Sequence, residues 1–207
     1  MKEILKSADF QKKLLLINSL VPLVMLILDW YFGKLGANPP EAIIRTTGIM
    51  AILFLILSLV VTPLSFYLKW NWTIKHRRWL GLWAFYYAVL HLVAYALFDK
   101  SLDLGSIIVD IKKRPFILLG FVGFLLMIPL AMTSTNKMIQ KLGPKKWKKL
   151  HKLTFIIAFV TSIHFWLIVK SDLFYPGLVA ASFLILITLR IFINLQKNKK
   201  SLSAHVG

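Results

Sequence analysis

Six apolar runs, bounded by polar or basic residues, set the pattern of this chain: approximately 14–32, 46–67, 79–98, 116–134, 151–170 and 175–195. Each is about 20 residues long, the length a helix needs to cross a hydrocarbon core of about 30 Å. Together they take up most of the chain and leave no stretch able to bury a soluble core. The expected fold is therefore all-α: a membrane protein built as a six-transmembrane-helix bundle, 14–195, between a cytoplasmic N-terminal lead (1–13) and a basic cytoplasmic tail (196–207) expected to be disordered. The first run is not a cleaved signal peptide, because it is too long, lacks a small-residue cleavage site and ends in DWYFG.

Punctuation between and within the runs refines this. Asp29-Trp30-Tyr31 closes the first run as an aromatic belt, where Asp29 reaches water. Pro39-Pro40-Glu41 suits a helix start, and Pro63 a kink. Trp70, Trp72 and His76 form a belt at the opposite interface, with His76 solvated. Thr133-Ser134-Thr135 reads as a helix end, and KMIQKLGPKKWKKLHK (137–152) breaks at Gly143-Pro144 into two short helical segments. The last run, LVAASFLILITLRIF, carries no evident chemistry, and no internal repeat is apparent.

Composition agrees: 58% of residues are hydrophobic and the mean hydropathy is +0.72. A net charge of +18 would suggest nucleic acid in a soluble protein. Here the Lys and Arg residues gather at alternate span ends, around 2–13, 69–78, 137–152 and 190–200, so the charge sets topology and both termini are expected in the cytoplasm. Lys112-Lys113-Arg114 dissents. It is partly offset by Asp99, Asp103 and Asp110, and LGSIIVDIKKR suits a short amphipathic helix on the outer leaflet. The basic stretch 137–152 suits anionic lipid, an acidic partner or an anionic cofactor. With no cysteine, disulfides, thiol catalysis, cysteine-held iron–sulfur clusters and c-type haem are excluded.

Chemistry then falls to histidine. His91 and His164 lie inside two apolar runs, where an imidazole is costly and marks a functional site by default. His91 is 13 residues beyond Arg78 and His164 is 12 beyond Lys152. At 1.5 Å per residue both sit about 18–20 Å from the cytoplasmic boundary. Spans three and five run in the same direction, so the two rings could clamp one planar b-type haem as trans axial ligands. Taken singly, either ring could instead simply hydrogen-bond a neighbouring helix. His151 lies 13 residues before His164, a phase of about 220° on an ideal helix, so it points elsewhere unless the helix is bent. Trp79, Trp83, Phe85, Tyr86 and Tyr87 suit packing or the wall of a macrocycle. No HExxH, GxGxxG or P-loop is present, so hydrolysis and nucleotide binding find no support.

RRWLGLWAFYYAVLHLVAYALFD, LAMTSTNKMIQKLGPKKWKKLHKLTF and IHFWLIVKSD together resemble the MsrQ family, which belongs to the ferric-reductase-like transmembrane superfamily. The resemblance runs from LGANPP (35–40) to about residue 195. It implies a multi-pass protein of the bacterial inner membrane carrying haem b and FMN. Electrons from the quinone pool or a cytosolic flavin reductase would pass to the periplasmic molybdopterin enzyme MsrP, which repairs oxidised methionine in envelope proteins. The family's histidines fall on His91, His164 and His151, the last as a second or alternative haem ligand. Two-haem relatives carry a further histidine where this chain has Arg77 and Arg78, so one haem is expected and two are in doubt; that pair would suit haem propionates, a flavin phosphate or topology alone. The competing readings are a ferric or quinone-linked reductase of a small acceptor, and a non-redox transporter or membrane anchor.

Overall fold

The computed structural model describes residues 8–169 and 172–206. Residues 1–7 of the expected lead (1–13) and the charge at Lys170 lie outside the described residues. Helix α1 spans Ala8–Tyr31 and α2 Pro39–Tyr67. A 3₁₀ turn, Asn71–His76, leads into α3, Arg77–Ala94, which continues as a π-helical segment, Tyr95–Asp99. Then come α4 (Leu104–Lys113), α5 (Pro115–Met132), α6 (Asn136–Leu142), α7 (Pro144–Leu150), α8 (Leu153–Ile168) and α9 (Phe174–Val206). Six stretches, Phe10–Tyr31, Pro39–Tyr67, Asn71–Asp99, Pro115–Met132, Pro144–Ile168 and Phe174–Lys197, are long and apolar enough to cross a membrane.

Local sequence accounts for the boundaries. The Asn38 side chain accepts from Glu41 N, and Pro39 and Pro40 occupy the first turn, where no intrahelical donor is lost. Asp103 caps α4 by accepting from Gly105 N and Ser106 N. Gly143 takes φ +75°, a conformation that favours glycine, and so separates α6 from α7 as its sequence predicts. The tail expected to be disordered instead continues α9 as helix to Val206. KNKKSLSAH holds no proline or glycine to stop a helix already nucleated by the apolar turns before it.

Packing is organised in two helix pairs, α2 on α3 and α5 on α8, with α9 against α8 and α2. Their shared core includes Leu59, Ala84, Tyr87, Ile157, Ala158 and Phe183, all almost wholly buried. Phe54 stacks on Tyr87, ring centres 5.4 Å apart, and the Tyr87 hydroxyl donates to the Ser19 carbonyl at 2.7 Å, tying α1 to the bundle. Outward-facing Leu, Ile, Val and Phe are largely exposed, as an apolar solvent requires.

Candidate functional site

His91 comes from α3 and His164 from α8, and the fold brings the two rings to a centre-to-centre distance of 6.3 Å, with their planes at 84°. Each ring is held the same way. His91 Nδ1 donates to the Ile44 carbonyl on α2 at 2.9 Å, and His164 Nδ1 donates to the Phe116 carbonyl on α5 at 2.7 Å. A neutral imidazole that gives its Nδ1 proton to a carbonyl keeps its lone pair on Nε2, the tautomer a metal needs. Two such rings trans on one metal, with bonds of about 2.0 Å and about 1.1 Å from nitrogen to ring centre, would stand about 6.2 Å apart. The observed spacing meets that requirement. Hydrogen bonding to a neighbouring helix and ligation, rival readings in the sequence, are here compatible: one nitrogen serves each.

Both rings line a cavity of about 560 Å³ between α2, α3, α5 and α8, within the usual range for small-molecule sites. Its walls are mainly aliphatic and aromatic, with Leu55, Leu92, Phe121, Phe124 and Phe165 among them. Of the aromatic residues of span three, Trp79, Trp83, Phe85, Tyr86 and Tyr87 are absent from that lining, and Tyr87 packs in the core instead. Glu41, Arg45, Asp99 and Arg114 line the cavity where α2 and α5 begin and the π segment ends. Space for the rings depends on glycine. A β-carbon on Gly48 would meet the His91 ring at 3.0 Å, and one on Gly120 would meet the His164 ring at 2.7–2.9 Å. Among the described residues no three of His, Cys, Asp and Glu gather as a metal-ion cluster.

His151 does not join this pair. It caps α7, and the helix is interrupted there before α8 starts at Leu153, so the continuous helix assumed in the phase estimate is absent. Its ring stacks on Trp147 with centres 3.9 Å apart, and its Nε2 meets Thr133 Oγ1 at 3.3 Å. Thr133 thus does more than end a helix: its carbonyl also accepts from Trp147 Nε1 at 2.9 Å. Arg78 is engaged with Asn136 Oδ1, while Arg77, half-buried, lies close enough to His151 and Arg190 for its charge to act on both.

Two expectations fail in this half of the molecule. His76 is buried rather than solvated, with Nε2 at 3.1 Å from Gln11 Oε1, because α1 folds over the 3₁₀ turn. The last span is not featureless: Arg190 is 5% exposed, donates from Nη2 to Thr62 Oγ1 at 2.8 Å, lies over the Phe155 ring, and leaves Nε without a partner. Sequence reasoning counted Arg190 only as a topology charge and passed over Arg45, Arg114, Gly48 and Gly120. A usable signal for the glycines existed. Gly48 and Gly120 are 72 residues apart and His91 and His164 are 73, so nearly the same spacing relates the two glycines and the two histidines.

The family described as ferric reductase like transmembrane component matches residues 47–163. A protein-methionine-sulfoxide reductase heme-binding subunit MsrQ from Herminiimonas arsenicoxydans is 42% identical over 92% of this chain and 88% of its own length. One of the same name from Caulobacter vibrioides is 39% identical over 87% of this chain and 86% of its own length. The magnetosome protein MamZ of Magnetospirillum gryphiswaldense is 41% identical over 87% of this chain but only 29% of its own length. No solved structure matches the chain. With matched lengths at this identity and a ferric-reductase region that includes His91 and ends one residue short of His164, the chain belongs to the MsrQ family of ferric-reductase-like transmembrane proteins.

Proposed function

We propose that this protein is the membrane electron-transfer subunit of a protein-methionine-sulfoxide reductase system, with a b-type haem held between His91 and His164. The observation that carries the reading is the pair of imidazoles 6.3 Å apart, each with Nδ1 on a carbonyl and Nε2 left for a metal. Haem bound there supplies one-electron chemistry. The chain's own residues do the rest: two carbonyls fix the ring tautomers, the apolar walls exclude water, and Arg45 and Arg114 at the rim offer positive charge to the haem carboxylates.

Reduction of one methionine sulfoxide to the thioether takes two electrons and two protons and releases water. A one-electron centre must therefore turn over twice for each residue repaired, and the protons are supplied at the partner's site. The partner is a periplasmic molybdopterin reductase of the MsrP type. The donor is the quinone pool or a cytosolic flavin reductase, and the location is the bacterial inner membrane with both termini cytoplasmic. On this reading FMN would bind at the opposite end from the haem rim, its phosphate toward Arg77 and Arg78, with His151 tuning electron entry there. The positive charge of Arg77, Arg78 and Arg190, with no carboxylate bonded to any of them among the described residues, supports an anionic group in that half.

The test is a reduced-minus-oxidised spectrum of the purified chain. A low-spin b-type signal is expected in the wild type and lost in His91→Ala and in His164→Ala, while His151→Ala keeps it and slows its reduction. A colourless wild type, or intact spectra in both of the first two variants, overturns the assignment.

A further inference from the structure

We infer that Gly48 and Gly120 are matched positioning residues that set the two imidazole planes nearly perpendicular about the metal they share. The inference rests on the haem reading above. Its observations are the ring planes at 84° and the contacts that fix each plane. On each side one helix turn supplies both contacts: a carbonyl at position i and a glycine at i+4, which lie on one face. On α2 the turn is Ile44 to Gly48, facing His91; on α5 it is Phe116 to Gly120, facing His164. The carbonyl anchors one nitrogen of the ring, and the bare glycine lets the ring lie against the turn.

A β-carbon at either position would land on ring atoms rather than on the neighbouring helix backbone. At Gly120 it would fall 2.7 Å from His164 Cε1 and 2.9 Å from Nδ1; at Gly48 it would fall 3.0 Å from both atoms of His91. Either ring must then tilt or leave its carbonyl. Ordinary close helix packing does not explain this, because Gly123, one turn beyond Gly120, meets only Thr161 and Val160 side chains at 3.7 and 3.8 Å. At spacings of 72 and 73 residues, the same carbonyl and glycine contacts recur at both histidines.

Near-perpendicular axial imidazoles leave the iron d orbitals close to degenerate and give a strongly anisotropic low-spin electron paramagnetic resonance spectrum; parallel planes give a rhombic one. The experiment is that spectrum, with a potentiometric titration, on the purified full chain as wild type, Gly48→Ala, Gly120→Ala and, as control, Gly123→Ala. The wild type and Gly123→Ala are expected to show the anisotropic signal at one potential. Gly120→Ala is expected to lose haem or turn rhombic with a shifted potential, and Gly48→Ala, with the milder clash, to shift in the same direction. Size-exclusion profiles matching the wild type separate these effects from misfolding, and Gly48→Ala decides alone should Gly120→Ala fail to accumulate. Spectra and potentials of both glycine variants equal to the control overturn the inference while leaving the haem reading intact. A wild type without low-spin haem overturns both.

Discussion

His91 and His164 each bind a carbonyl through Nδ1, leaving Nε2 for the proposed metal, and the elements that do this are far away in sequence. The carbonyl partners lie 47 and 48 residues before their histidines, which places the tautomer decision on α2 and α5 rather than on α3 and α8. Matched depth on parallel spans was legible from the sequence because it needs only the helical rise. The carbonyls were not, since every residue carries one and periodicity does not say which is free to face inward. Arg190 teaches the same lesson from the other side. A single cation near the end of an apolar run looks like a topology signal, and only the neighbouring Thr62 and Phe155 show that it is buried. Removing the hydroxyl in Thr62→Val leaves Nη2 without that partner and should cost about 1–3 kcal/mol. Arg190→Met removes the buried charge altogether and should keep or raise the melting temperature. Thermal unfolding in detergent checks both, and the reverse order of stabilities would overturn this account of Arg190.

At the level of elements, the segment after His91 shows how the cavity rim is held. The backbone widens into a π turn at Tyr95–Asp99, beginning where Tyr95 N reaches the His91 and Leu92 carbonyls. The Tyr95 hydroxyl donates to Asp110 on α4 at 2.9 Å, Lys100 pairs with the same carboxylate at 2.6 Å, and Arg114 reaches it at 3.4 Å. These contacts pin α4, whose opposite face exposes Leu104, Ile108 and Val109. The amphipathic helix was legible from LGSIIVDIKKR. Of the acids expected to offset Lys112-Lys113-Arg114, Asp110 pairs with Arg114 and Lys100, Asp99 pairs with Lys100, and Asp103 caps α4, while Lys112 and Lys113 are exposed. Lys100 and Tyr95 hold the Asp110 carboxyl below its ordinary value, and Asp110 holds Lys100 above its own. A depressed carboxyl contributes stability above about pH 4 that is lost as the pH falls further, and a raised lysine contributes stability below about pH 10 that is lost as the pH rises beyond it. Amide-exchange protection of α4 should therefore be flat between those limits and decline outside them. Asp110→Asn should remove the acid limb of that profile.

The whole molecule is two helix pairs, α2–α3 and α5–α8, facing each other across one cavity, with α1 and α9 packed on the outside. Six spans were legible because length and hydropathy alone decide them. The matched glycine and histidine spacing, 72 and 73 residues, was also there to read, but it gains meaning only once the structure sets each glycine against its ring. Charge distribution predicts that alkaline phosphatase fused after α1, α4 or α8 is active and that fusions after α2, α7 or α9 are silent. The opposite pattern would invert the protein and reverse which partner meets which end. With the expected orientation, the cavity opens toward the periplasm: His91 is 14 residues into α3, about 21 Å from its start, and the rim residues Arg45 and Arg114 lie beyond it. On the proposed function, with haem at this site and a cytosolic donor, an electron would traverse most of the transmembrane field before resting on iron. With the cell interior negative, a full traverse is worth about 2.3 kcal/mol per 100 mV in the outward direction. On that proposal the energised membrane would itself drive envelope repair, and de-energised cells should restore their damaged envelope proteins more slowly.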